Sequence, residues 1–201
     1  MRILALDASG ASWSVALLDG DGCIGEHVGG DSRKASVDMP GAIQDLLAGG
    51  GLDAVGVTTG PGSFTGLRGA LALAHGLALG AGVAVVGVTV AEALLHRVSG
   101  QTGAIWIALD ARRPGRVFLD AGRGMVACTL DDLPQCAGPV LVLGDAAAAV
   151  AAVRPDARAG EGRVVRAADV ARVAQRRLAG EIGPCAPQPL YVEPPAARPP
   201  A

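Results

Sequence analysis

The chain has 201 residues, half of them apolar, and a formal net charge of −2. That supports a real core in one domain or two small ones. It argues against wholesale nucleic-acid binding, which draws on a basic domain. The aromatics are few (Trp13, Phe64, Trp106, Phe118 and Tyr191), so Ala and Gly fill the interior and backbones pack close.

An apolar run, Arg2 to Leu6, reads as a strand ending in Asp7. Asp7 also makes the run too short for a signal-peptide core, which points to a cytoplasmic protein. A turn at Ser9–Ser12 leads to a second strand, Trp13 to Leu18. The hairpin signal Asp19-Gly-Asp-Gly22 leads to a third, Cys23 to Val28. Gly29 to Ala35 reads as a polar loop and Met39 to Leu47 as a helix stopped by Gly49-Gly-Gly51. A strand from Asp53 to Val57 then runs into Thr58-Thr-Gly-Pro-Gly-Ser-Phe-Thr-Gly-Leu-Arg-Gly69, a strand, a glycine-rich turn and a helix start.

Gly69 to Val90 is long and apolar enough to be weighed as a membrane span. Gly80-Ala-Gly82 splits it, with helix formers before and β-branched residues after, so a helix feeding the strand Val83 to Val88 is the better reading. Thr89 with Glu92 makes a capping box for a helix from Ala91 to Val98.

Gly100 to Gly103 reads as a boundary. Residues 1–100 form an N-terminal, partner-binding lobe and 101–201 a smaller C-terminal lobe. In the second, a strand from Ala104 to Leu109 ends in Asp110, as the first ended in Asp7. A hairpin, Val117 to Ala121 and Met125 to Thr129, a strand Val140 to Leu143, and helices Ala146 to Val153 and Ala168 to Leu178 complete it. The α/β pattern therefore occurs twice, the second time abbreviated. From Pro184 the chain is proline-rich and is expected to run extended over the surface.

Four cysteines, Cys23, Cys128, Cys136 and Cys185, lack C-x-x-C spacing, which excludes a zinc ribbon or thioredoxin motif; they read as buried, reduced thiols. No H-E-x-x-H or H-x-x-x-H occurs, so no metal site is expected. Gly60, Gly62, Ser63, Thr65 and Gly66, with Asp7, could bind an anion or nucleotide at a helix start. The spacing fits neither a Walker A loop nor the dinucleotide fingerprint, so a structural turn stands beside that reading. Ser63 lacks the G-x-S-x-G frame, which disfavours a serine hydrolase. Asp7 and Asp110 read first as caps of their turns, and as a catalytic pair second. The arginines at 154–177 read as a solvated face.

The long helix is apolar on every side, and a helix of that kind must be buried all round. Another chain is expected to cover what this one leaves open. The residues assigned to that interface are Phe64, Leu67, Arg68, Gly69, Ala70, Leu71, Leu73, Ala74 and Leu77, with Met39 and Ile43 of the preceding helix. No catalytic residue is assigned.

Met1-Arg-Ile-Leu-Ala-Leu-Asp7, Ser14-Val-Ala-Leu17, Gly60 to Arg68, His75-Gly-Leu-Ala-Leu-Gly80, Asp110-Ala-Arg112 and Pro189-Leu-Tyr-Val192 resemble the TsaB (YeaZ) family. The resemblance implies the actin/Hsp70/sugar-kinase fold, an α/β fold of two RNase-H-like βββαβαβα lobes; the abbreviated second lobe and the proline-rich end are departures from the family pattern. It implies a non-catalytic subunit needed for N6-threonylcarbamoyladenosine (t6A) on tRNA. Such a subunit pairs with the transferase TsaD through its N-terminal lobe helices and works with the ATPase TsaE. It meets tRNA through that complex, with a homodimer and ATP or ADP at the complex interface as further expectations. The competing reading is an active nucleotide-dependent transferase or glycoprotease-like enzyme of the same fold. Lys34 and Ala35 stand where TsaD-like proteins would carry a metal-binding histidine, which favours the non-catalytic reading.

Overall fold

The computed structural model describes residues 1–47 and 50–193. Part of the expected glycine stop, Gly49, and the end of the proline-rich tail, 194–201, lie outside the described residues. In chain order the elements are β1 (Arg2–Asp7), β2 (Ser12–Asp19), β3 (Gly22–Asp31), a 3-10 turn (Ser32–Lys34), α1 (Ala35–Leu47), β4 (Ala54–Gly60), α2 (Phe64–Ala81), β5 (Ala84–Thr89) and α3 (Val90–His96). The second series is β6 (Ala104–Asp110), β7 (Arg116–Asp120), β8 (Met125–Thr129), β9 (Val140–Leu143), α4 (Ala147–Val153), β10 (Ala157–Ala159) and α5 (Ala167–Leu178).

The duplication read from the sequence is present in the strand order. One sheet runs β3-β2-β1-β4-β5 and the other β8-β7-β6-β9-β10. In each, three strands form an antiparallel meander and two more add in parallel to the first. The chain therefore has the two-lobed α/β architecture of the actin/Hsp70/sugar-kinase fold. The second lobe is abbreviated as expected: residues 130–139 contain no counterpart of α1.

Strand alternation divides the first sheet between two cores. Leu4, Leu6, Val15, Leu17, Val55 and Val57 point to one face, where α1 contributes Met39 and Ile43 and α2 contributes Ala70, Leu71, Ala74 and Ala78. Ile3, Ala5, Ala16 and Leu18 point to the other, against Val170, Val173 and Ala174 of α5. The same core takes in α3 and Ile107, Leu109, Leu141 and Leu143 of the second sheet, so it is shared between the lobes. A third core packs α4 on the far face of the second sheet, around Trp106, Leu119 and Val150. Each large side chain buried this way stabilises the fold by about 1.5–3 kcal/mol before entropy is charged against it.

Several elements differ from the sequence expectation, each for a visible reason. β3 continues through the expected polar loop to Asp31, paired with β2, and the Trp13 ring lies where a Cβ on Gly29 would sit. Helix α1 starts at Ala35 rather than Met39 and contains Pro40. The 3-10 turn before it is capped by Asp31, whose carboxyl accepts from the Arg33 N–H. The Arg33 guanidinium beside Asp31 holds that carboxyl down at about 2. The short edge strand β10 is an addition to the expected elements, held by its parallel pairing with β9. The expected helix and strand within 69–90 are α2 and β5, and no helix among the described residues is long and apolar enough to cross a membrane.

Two expectations are corrected. The cysteines are not buried thiols: Cys23 is exposed and the other three are half-buried. Nor do the C-terminal arginines form one solvated face. Arg177 is 8% exposed and ion-paired to Glu92, while it also donates to the carbonyls of Gly87 and Gly183 at 2.6 Å each. Arg154 lies over Trp106 and pairs with Asp156.

Candidate functional site

The glycine-rich turn joins β4 to α2, and every residue of the expected loop set gathers there. Ser63 caps α2: its hydroxyl accepts from the Gly66 N–H at 3.2 Å. The Ser63 N–H donates to the Ser9 carbonyl at 2.7 Å. A Cβ on Gly62 would stand 2.2 Å from that same carbonyl, and one on Gly66 2.3 Å from the Ala8 carbonyl. The glycines thus admit the chain's own β1–β2 loop. Thr65 is exposed beside Ser32 and Arg33.

Asp7 sits beneath this contact, 3% exposed. Its Oδ1 accepts from the Ser9 N–H at 3.1 Å, the Ser9 hydroxyl at 2.7 Å and the Thr58 hydroxyl at 2.7 Å. Burial pushes its carboxyl above the usual range, and those three donors oppose the shift. Asp110 caps its own turn in the same way, accepting from the Arg112 N–H at 2.8 Å. Both aspartates therefore carry the turn-capping role read from the sequence.

A phosphate cradle needs N–H groups aimed at empty space. Here the Ser63 and Gly66 N–H groups already have acceptors, and the room left by Gly62 and Gly66 is filled by Ala8 and Ser9. The residues of the turn do not fit a bound phosphate.

Helix α2 presents two unlike faces. Gly66, Leu67, Ala70, Leu71, Ala74 and Ala78 are buried in the lobe, together with Met39 and Ile43 of α1. Of the expected interface set, these residues hold the helices onto the sheet. Phe64 and Arg68 are exposed, and Gly69, Leu73 and Leu77 are half-buried at the margin. The outward face continues through Ala72, His75, Gly76 and Leu79, the last 86% exposed. Helix α1 meets α2 at Ser36 and Gly69, and its Val37 is 77% exposed.

A cavity of about 390 Å³ separates the lobes at the first turn of α2. Its walls are Pro61, Gly62, Phe64, Leu67 and Arg68, the β6–β7 turn at 110–113, Phe118, and the chain segment 189–193. Arg112, at φ 58, is the one non-glycine residue with positive φ among the described residues. The Arg68 guanidinium lies 3.7 Å over the Phe64 ring and donates to the Tyr191 hydroxyl at 2.6 and 3.1 Å. Sequence reasoning missed Tyr191, Phe118 and the 110–113 turn as a lining. The blocks at 110–112 and 189–192 carried the only signal.

Two RNase-H-like lobes around a shared cleft, with a small-residue helix after the first glycine turn, define a protein of the actin/Hsp70/sugar-kinase class. A family model described as "TsaD: tRNA N6-adenosine threonylcarbamoyltransferase" matches residues 32–169. The chain belongs to this family, and within it the resemblance to TsaB (YeaZ) proteins read from the sequence is borne out by its relatives. It is 35% identical over 125 residues to the tRNA threonylcarbamoyladenosine biosynthesis protein TsaB of Escherichia coli K12, covering 59% of this chain and 53% of that one. It is 34% identical over 123 residues to TsaB of Bacillus subtilis 168, with the same coverage. The chain thus spans about half the length of the curated relatives it matches. YeaZ from Pseudomonas aeruginosa superposes with a TM-score of 0.77 at 24% identity, over 95% of this chain and all of that one, which shows a common fold.

Proposed function

We propose that this chain takes part in making t6A on tRNA, as a non-catalytic subunit that docks the TsaD transferase on the outward face of α2 and α1. The carrying observation is that face: Phe64, Ala72, Gly76 and Leu79 are exposed small and apolar residues on one side of a helix whose other side is packed in the lobe. Small residues let a partner helix approach closely, and fully buried apolar anchors supply most of the energy of such contacts. The filled glycine turn supports a docking role over a catalytic one. In this reading TsaE and tRNA join through the assembled complex, and ATP or ADP belongs to that complex interface, not to the turn. A second copy of the chain could use the same face when TsaD is absent.

Ala72→Arg places a charge on the exposed centre of that face. It is expected to leave folding intact and to weaken binding to TsaD by at least about tenfold, an interface cost of about 1.4 kcal/mol. Unchanged affinity by calorimetry would sink the docking assignment. Reconstituted t6A synthesis, with and without this chain, separates the roles: transfer of threonylcarbamoyl by the isolated chain revives the enzyme reading.

A further inference from the structure

After α5 the chain turns back as an irregular segment, 183–193, that touches both lobes in sequence. It first crosses β5, where a Cβ on Gly87 would meet the Ala186 carbonyl at 2.7 Å. His75 Nε2 of α2 lies 3.0 Å from the Pro187 carbonyl. The Leu190 N–H donates to the Thr59 carbonyl at 2.8 Å, at the end of β4. Tyr191 then receives both Arg68 donors on the first turn of α2. Two residues later Glu193 pairs with Arg116 at 2.6 Å and Arg113 at 3.3 Å, on the second lobe.

We infer that this segment is a latch: it ties the first turn of α2 to the β6–β7 turn, so that opening of the cleft is felt at the helix. The contacts differ in strength along its length. The start is anchored by Arg177, whose guanidinium is almost fully buried. The Glu193 end is held by partly exposed ion pairs, which contribute little each and break first. Tyr191 lies between these ends, its ring tilted 38° against that of Phe64 with centroids 6.5 Å apart. Movement of Glu193 away from the second lobe therefore pulls on the aromatic–arginine cluster before it reaches the anchor. The latch stands on the fold alone and does not depend on what docks on α2.

Amide hydrogen exchange on the full chain tests it without any partner. Glu193→Gln removes the charge that holds the second lobe; Tyr191→Phe removes the acceptor of Arg68 and keeps the ring. Each is expected to speed exchange by about two- to fivefold at both residues 64–68 and residues 111–117, the range an exposed ion pair or one hydrogen bond supports. An effect confined to the mutated end overturns the latch, as does no change at either end. So does an equal rise in β8, which would mean general loosening. Both positions are partly exposed, so neither variant removes a core side chain.

Discussion

The two lobes share a junction and diverge in the helix that leaves it. In the first, Gly62 lies against the Ser9 carbonyl, which accepts the Ser63 N–H. In the second, a Cβ on Gly144 would stand 2.2 Å from the Ala108 carbonyl, which accepts the Ala146 N–H at 3.1 Å. Both junctions set a glycine turn on the backbone at the end of the lobe's first strand. Yet α2 has 18 residues and a serine cap, while α4 has seven and no side-chain cap. The glycine turn is thus common to both copies of the fold, and the long helix with an exposed face belongs to the first copy only.

The largest test of that contrast is to fill each junction. Gly62→Val and Gly144→Val each drive a side chain into backbone, and each is expected to cost about 3–5 kcal/mol or prevent folding, measured by denaturant unfolding. A ligand-binding role for Gly62 alone would instead leave its variant stable. Next, Arg177→Met should cost about 2–4 kcal/mol, because it removes the ion-pair partner of Glu92, which keeps only its Thr89 donors, and leaves two carbonyls without their donor beside a nearly buried site.

The pH response of Asp7 is a smaller effect. An acid whose folded pKa is raised binds its proton more tightly in the folded state. Its stabilising contribution is complete below the ordinary value of 3.8 and is lost as pH rises through the folded value. Asp7→Asn keeps an acceptor for Ser9 and Thr58 without the charge, so its stability relative to wild type should improve as pH rises across that window. Thermal melts of both proteins over a pH series check the sign. The smallest effect has the opposite direction on α2: Gly76→Ala meets nothing within 4 Å and should stabilise by about 0.5–1 kcal/mol, read from the same melts.

The duplicated α/β pattern was legible because strand ends, glycine turns and caps are local signals. Thr89 and Glu92 form the capping box read from their spacing, and both hairpins fall where their turn residues lie. Where tertiary contacts decide, the sequence said less. Apolar residues all round α2 could not reveal which face the lobe would bury, because leucines and alanines occur on both. Pro40 hid the first turn of α1, which follows directly on a 3-10 turn that Asp31 caps. The block at 189–192 stood out, but not its place in the cavity wall: the partners of 191–193, Arg68, Arg113 and Arg116, lie roughly 75 to 125 residues away in the chain.

Helix α5 closes the inner face of the first sheet, with Ala174 so near that a Cβ on Gly56 would meet its methyl at 3.2 Å. A helix from the second half of the chain is therefore structural material for the first sheet. A chain emerging from a ribosome would hold Ala5, Ala16 and Leu18 without their cover until residue 178 had appeared, and pairings that distant in sequence form slowly. Cutting the chain between its halves would not release two small proteins. It would leave the first with an open apolar face and the second with a helix that has lost its seat.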